Sequence, residues 1–534
     1  MSRWVEERLQ SLTLEQKIGQ LLVGQAEGTE ISESFRRFIE KIPIAGYRVN
    51  GPNIEHPGQV KSLTAEIQRI YARLGLDFPV IFACDQEGGV LSVFGDCVSE
   101  FPGNMALGAA DSVALTERQG QLVGWELAKM GMNHLLAPVA DLNLEKQNPV
   151  IGVRSFGDDP ERVASHCIHF QRGANRGGVA VSAKHFPGHG NTATDTHLGL
   201  ATNHTEKDVL RRTELVPFQK MVNAGVDSVM VTHVVFSKWD FMPASLSPAV
   251  ISGLLRHEMG YDGLVITDDL AMGGVRNLVS AGESALRFIQ AGGDIAFMHD
   301  GRASIEEAYG RLLEAVRSGE LTEERIDLSL RRILRFKQGI ATYQHAREKL
   351  GTSGTELARQ TAEQSITLLR DPGRLLPVAP DKKLLVVLPQ LCNLSEADTS
   401  DQQEMKLANY LKQAYPRVSV VELSLDEAEQ AMDGLRQKAN EADLILQGTI
   451  NAYRFPGQIE VMKKLAKIRP LIAIMLRDPY DSELIPLDTT TLATYAVTEH
   501  QMATLVRQLQ GALTFKGKVP VKLDDHEKRR KEEW

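Results

Sequence analysis

Within Ala183–His197, AKHFPGHGNTATDTH, the chain places three histidines, a lysine and an aspartate among glycines. Metal ligation, acid/base catalysis and a solvated histidine-rich loop all compete for such a segment. As ligands, His185, His189, Asp195 and His197 offer nitrogen and oxygen donors. Their spacing is not that of an HExxH helix, and Pro187, Gly188 and Gly190 make the stretch a loop without the rigid frame a metal requires. No metal is expected. As an acid/base pair, Asp195 and His197 are two residues apart and share a face in extended chain. The carboxylate can then fix the imidazole tautomer and support an imidazolium, leaving the second nitrogen to exchange protons near neutral pH. Asp-x-His arises often by chance, so this pair alone does not exclude the solvated loop.

A second group is Ile266-Thr267-Asp268-Asp269-Leu270, where two carboxylates end an apolar run. Strand side chains alternate, so only one can point along the strand end into a site. Either both acids cap the next helix, or Asp268 is a nucleophile or electrostatic stabiliser and Asp269 supports its loop.

The elements that must hold these groups are read from periodicity. Eight short apolar runs are candidate parallel strands: 18–23, 44–49, 79–85, 133–141, 179–185, 227–233, 263–269 and 294–298. Between them lie stretches such as 59–74 and 208–223 with three- and four-residue apolar spacing. This is an α/β pattern and predicts a (β/α)8 TIM-type barrel. Polar residues gather at the run ends: Asp85 and Glu87, Asp141, Lys184 and His185, His233, Asp268 and Asp269, His299 and Asp300. A barrel brings those ends to one face, where barrel sites form. We assign residues 1–345 to the barrel catalytic domain and 346–375 to a linker in which LGTSGTELARQ enters a helix. Residues 376–534 form a smaller α/β sandwich domain, with strands at 382–388, 418–423, 442–447, 471–476, 491–497 and 518–522 and helical stretches such as 425–441. It carries neither a dinucleotide glycine fingerprint nor a phosphate loop. Gln447–Asn451 and Arg454 fall at and beyond a strand end, where a cleft can form.

With 534 residues the chain is too long for one ordinary core. A net charge of −9 argues against a nucleic-acid partner. The basic run Lys528–Lys531 lies among Asp525, Glu527, Glu532 and Glu533 and reads as a solvated tail. Cys84, Cys97, Cys167 and Cys392 form no Cys-x-x-Cys pair and read as buried free thiols in a reducing compartment. The start, MSRWVEERLQSL, has no apolar signal core, and no apolar run is long enough for a membrane span. The reading is cytoplasmic, unless a signal peptide has been removed, with no membrane partner and a monomer or weak oligomer.

KHFPGHG…DTH, ITDDLAM, DQEGG and NPVIGVRSFGDDP, in this order-specific set, resemble the β-N-acetylhexosaminidase branch of glycoside hydrolase family 3. The resemblance runs from about Leu12 to Val275. It continues more weakly through SITLL, LRDPYD and GKVPV, which look like the second domain of two-domain members. It implies Asp268 as nucleophile and His197, paired with Asp195, as general acid/base. It implies Asp85, Arg154, Lys184 and His185 as contacts to the sugar hydroxyls and acetamido group, and no cofactor. For Arg154 the alternative is a surface tie to Asp158. His233 is either a further substrate contact or a packed strand-end histidine, and His189 either a site group or a loop support. The glycines imply a mobile loop that brings the donor in only on closure.

Three positions depart from the family. Val90 follows DQEGG where arginine is usual, Thr196 replaces serine in the dyad, and Asn191 stands where aspartate is common. The first puts a subsite contact in question; the last removes a charge from the loop. The implied activity is retaining exo-hydrolysis of terminal GlcNAc from peptidoglycan fragments or related β-glycosides, a small carbohydrate substrate. The alternatives are a phosphorylase, in which phosphate attacks the glycosyl-enzyme, and a sugar-binding homologue without turnover.

Overall fold

The computed structural model describes residues 3–426 and 432–524. Eight parallel strands form the first sheet: Leu22–Gln25, Gly46–Arg48, Ile81–Cys84, His134–Leu135, Ala180–Phe186, Ser228–Val231, Leu264–Thr267 and Ala296–Phe297. Each pairs with its neighbours in chain order, and the last pairs with the first. The remaining seam closes through a parallel bridge between Ile266 and Ile295, with the Thr267 amide donating to the Ile295 carbonyl at 3.2 Å. The expected barrel is therefore present. Strands such as Leu264–Thr267 are buried throughout, as a sheet covered on both faces requires.

Two local readings differ. Ile18 belongs to helix Leu14–Gly19 and not to the first strand, which begins at Leu22. The reason is a capping box, in which Thr13 and Gln16 satisfy each other's backbone amides and start a helix. The stretch 208–223 is two helices, Lys207–Leu210 and Leu215–Asn223. Pro217 sits in the first turn of the second, where its missing N–H costs nothing but prevents continuation from before.

The second sheet runs, edge to edge, Thr367–Arg370, Thr490–Ala493, Leu471–Met475, Leu444–Thr449, Lys383–Pro389, Arg417–Leu423. All neighbours are parallel except Thr367–Arg370, which is antiparallel to Thr490–Ala493. Helix Gly354–Ser365 and strand Thr367–Arg370 both fall in the stretch read as linker, and the strand is an edge of this sheet. The expected strand at 518–522 does not form. That segment instead lies on the barrel, with the Lys518 amide on the Ala109 carbonyl (2.9 Å) and the Lys522 amide on the Asp158 carboxylate (2.6 Å). Of the stretch 425–441, Met432–Glu441 is helical and residues 427–431 lie outside the described residues, as does the basic run 528–531.

Alternation along the second sheet splits its core in two. Leu384, Val386, Leu446 and Ile472 face one side. Leu385, Val387, Ile445 and Ala473 face the other, in one cluster with Met105, Ala106 and Ala109 of barrel-side helix Asn104–Ala110. The two domains thus share an apolar interface. Strand order reverses at Lys383–Pro389, and the loop leaving that strand reaches the barrel mouth.

No helix among the described residues is long and apolar enough to cross a membrane. Of the four thiols, Cys84 and Cys167 are buried as expected, whereas Cys97 is half-buried and Cys392 exposed.

Candidate active site

The third and fifth barrel strands deliver a chain of alternating charges. Asp85 follows the third strand. Its carboxylate accepts from Lys184 Nζ at 2.8 Å and from Arg48 Nε at 2.9 Å, with Arg48 Nη2 in ion-pair contact at 2.7 Å. Lys184 also donates to Glu87 at 2.6 Å, and Glu87 takes two parallel bonds from Arg154, at 2.9 and 2.8 Å. Lys184 is only 2% exposed and Arg154 only 4%. Burial works against the Asp85 carboxylate, but the Lys184 and Arg48 cations hold its pKa well below the usual range. Burial likewise works against the Lys184 ammonium, and Asp85 and Glu87 keep its pKa above normal. Arg154 is thus tied to Glu87 and not to Asp158. Arg48 was not singled out in the sequence; it is the last residue of the second strand, Gly46–Arg48, and lines the barrel mouth.

The fourth-strand end supplies Asp141, fully buried. It accepts from His185 Nδ1 at 2.6 Å and from the His189 amide at 2.6 Å. His185 therefore carries its proton on Nδ1. His189 bonds Thr196 Oγ1 through Nε2 at 2.9 Å, and burial pushes its pKa down to about 4, so it is neutral. The loop after the fifth strand is packed down at two places. A Cβ on Gly190 would stand 1.7 Å from the Leu142 carbonyl oxygen, and one on Gly273 would stand 2.8 Å from the His197 and Leu198 oxygens. The Gly273 and Gly274 amides donate to the carbonyls of His197 and Thr196 at 3.0 and 3.1 Å. His197 faces the site in this arrangement of the loop. These glycines serve close backbone approach.

Asp195 and His197 form the expected dyad, Oδ1 to Nδ1 at 2.7 Å, with the His197 amide on the same oxygen at 2.9 Å. Burial depresses the His197 pKa, but the Asp195 hydrogen bond and the charges of Asp268 and Glu396 raise it above normal overall. Asp268 ends the seventh strand, its amide held by the Val231 carbonyl at 3.0 Å. Burial opposes its ionisation, yet His185, His233 and His197 together keep its pKa well below normal. Asp269 also lines the cavity and accepts from the Ala271 and His299 amides at 3.0 and 3.1 Å, a loop-supporting arrangement.

Asp85, Arg154, Lys184, His185, His197 and Asp268 line one cavity of about 250 Å³ at the barrel mouth. Asp195 stands behind His197. His233 does not line the cavity: its Nε2 donates to the Asp269 carbonyl at 2.8 Å, its Nδ1 meets Ser245 Oγ at 2.8 Å, and it is buried. Its packed alternative is the one seen. The second domain also reaches the cavity, through Glu396 and Ala397. Asn451 and Arg454 line a separate, narrow cleft between the domains. Among the described residues no group of three or more His, Cys, Asp or Glu side chains is disposed to hold a metal ion.

The Glycosyl hydrolase family 3 N terminal domain matches residues 13–336, more than half of the chain. The chain belongs to glycosyl hydrolase family 3. A solved structure of a glycoside hydrolase family 3 β-N-acetylglucosaminidase from Paenibacillus sp. str. FPU-7 superposes with a TM-score of 0.90, at 35% identity, over 96% of this chain and 99% of that one. Beta-hexosaminidase A of Pseudoalteromonas piscicida is 27% identical over 88% of this chain and 86% of its own length. Beta-hexosaminidase of Stenotrophomonas maltophilia is 36% identical over 47% of this chain and 75% of its own. The protein is accordingly a glycoside hydrolase.

The three positions read from the sequence as departures, Val90, Asn191 and Thr196, each have a visible neighbour. Val90 does not line the active-site cavity; its carbonyl receives the Thr399 amide at 2.7 Å and the Thr399 hydroxyl at 3.1 Å, so the position docks the second domain. Asn191 donates to Thr205 and Glu214, both at 3.2 Å. An aspartate there would face the Glu214 carboxylate. Thr196 keeps the hydroxyl that His189 uses.

Proposed function

We propose that this family 3 enzyme is a retaining exo-β-N-acetylglucosaminidase, removing terminal GlcNAc from peptidoglycan fragments or related β-glycosides. The observation that carries the reading is one small cavity faced by both the ionised Asp268 carboxylate and an imidazole whose tautomer Asp195 fixes. The Asp268 carboxylate attacks the anomeric carbon while His197 Nε2–H protonates the departing oxygen, giving a covalent glycosyl-enzyme. His197, now neutral, then takes a proton from the incoming water, and Asp268 leaves. A raised imidazole pKa suits a group that is acid in the first step and base in the second. Asp85, Lys184, Arg154 and His185 hold the sugar. Because their charges are already compensated, they present fixed dipoles without needing to rearrange. The relatives' names, β-N-acetylglucosaminidase and β-hexosaminidase, support the sugar assignment.

The test is release of nitrophenol from para-nitrophenyl N-acetyl-β-glucosaminide by wild type and Asp268→Asn, with and without phosphate. The wild type is expected to turn over, and the variant to lose at least about a thousandfold in kcat while keeping its circular dichroism. Retention of activity within a few-fold would remove the nucleophile assignment. Sugar 1-phosphate as a phosphate-dependent product would replace the hydrolase with a phosphorylase.

A further inference from the structure

The mouth of the cavity carries a carboxylate that the reaction above does not use. Glu396 sits on the turn 394–398 of the second domain and lines the cavity from 199 residues away in sequence from His197. The turn is pinned on both sides. Asp398 holds the Leu394 and Ser400 amides at 2.9 Å each and pairs with Arg477 at 2.9 Å. Thr399 is fastened to Val90 and Ser92 of the barrel. Glu396 itself is exposed and makes no hydrogen bond or ion pair among the described residues. It is close enough to His197 to act on its charge.

His197, which reaches the departing oxygen in the proposed reaction, lines the same cavity as Glu396, which walls it from the second domain. The cations that line the cavity offer an anion nothing there. Arg48 and Lys184 are both engaged by Asp85, Lys184 also by Glu87, and Arg154 by Glu87 in a two-bond pair. The acids Asp268, Asp269 and Glu396 share the same walls. We propose that Glu396 is a specificity-determining residue that reads the charge of the leaving group, favouring neutral or cationic second sugars and rejecting those that bear a carboxylate. This rests on the glycosidase reading above and narrows it to uncharged or amine-bearing β-glycosides, excluding peptidoglycan fragments whose muramyl lactyl carboxylate is free of peptide.

The test compares kcat/KM for three disaccharides with GlcNAc β-1,4-linked to GlcNAc, to glucosamine and to N-acetylmuramic acid. Wild type, Glu396→Gln and Glu396→Lys are assayed at low and raised salt. Wild type is expected to hydrolyse the first two in preference to the third. The anionic-to-neutral ratio is expected to rise about tenfold in Glu396→Gln, the cost of like charges at a partly screened rim, and further in Glu396→Lys. Raised salt should narrow the discrimination of wild type. Taking the ratio removes both the bulk of the lactyl group and any common effect on His197. A ratio that stays within about twofold in both variants, or a wild type that prefers the anionic sugar, overturns the proposal while leaving the glycosidase intact. Failure of wild type on all three disaccharides and on the aryl glycoside overturns both.

Discussion

Replacing Asp195 by asparagine isolates what the dyad contributes, because the side chain keeps its shape and loses its charge. Asp195 Oδ1 lies 2.7 Å from His197 Nδ1, with the side chains 9% and 16% exposed. Unit charges about 4 Å apart at an effective dielectric near 20 attract by about 4 kcal/mol. The asparagine carbonyl still accepts the Nδ1 proton, and solvent reaches the pair, so roughly half of that is expected to be lost: about 1.4–2.7 kcal/mol, or one to two units of His197 pKa. The sign follows from the structure. The wild-type imidazole has a raised pKa, so the donor is protonated below it and lost as pH rises through it. With Asp195→Asn that loss comes at lower pH. The alkaline limb of kcat/KM should therefore move one to two units toward acid for a GlcNAc disaccharide, whose leaving sugar needs a proton. It should move far less for an aryl glycoside with an activated leaving group. A limb that stays in place, or moves equally for both substrates, would refute the argument that His197 donates the proton and that Asp195 sets its pKa.

Two further outcomes are expected. Gly273→Ala inserts a methyl 2.8 Å from the His197 and Leu198 carbonyl oxygens, and these are backbone atoms that can yield only if the loop shifts. A displacement on the order of 1 Å at the donor should lower kcat about a hundredfold, with little change in unfolding midpoint; unchanged kcat would show that the loop position does not matter. Arg477→Ala leaves the buried Asp398 carboxylate unpaired and releases Ser400. Urea unfolding should show a loss of about 3–5 kcal/mol, and a loss below about 1 kcal/mol would mean the turn is held by Thr399 and the apolar interface alone.

The barrel was legible because its strands are buried on both faces and so read as continuous apolar runs, and because the charges fall at their ends. Asp85, Lys184, His185 and Asp268 could be placed at one mouth from that pattern. Asp195 and His197 could be paired because their contact is local. What the sequence hid was long-range. Glu396 lies in a different domain, and nothing in SEA around it announces that a strand reversal will carry it to the barrel mouth. Arg48 hides for another reason, since a single arginine at the end of a three-residue strand resembles an exposed edge. His233 was misleading in the opposite direction: a strand-end histidine looks available, but Ser245 and the Asp269 carbonyl consume both of its nitrogens. The strand Thr367–Arg370 was missed because one antiparallel edge strand following a helix does not share the β-then-α rhythm of the rest.

The alternating series Arg48, Asp85, Lys184, Glu87, Arg154 also constrains how the gene can drift. Each carboxylate sits between two cations, so losing Asp85 leaves Arg48 without its partner and losing Glu87 leaves Arg154 without its partner, each a largely buried charge with nothing to compensate it. The two carboxylates cannot therefore be eroded one at a time. A lineage that changes Asp85 or Glu87 must pass through a destabilised intermediate or give up the dependent cation in the same step, so Arg48 with Asp85 and Arg154 with Glu87 behave as two heritable pairs, while Val90, which uses only its backbone carbonyl, remains free to vary.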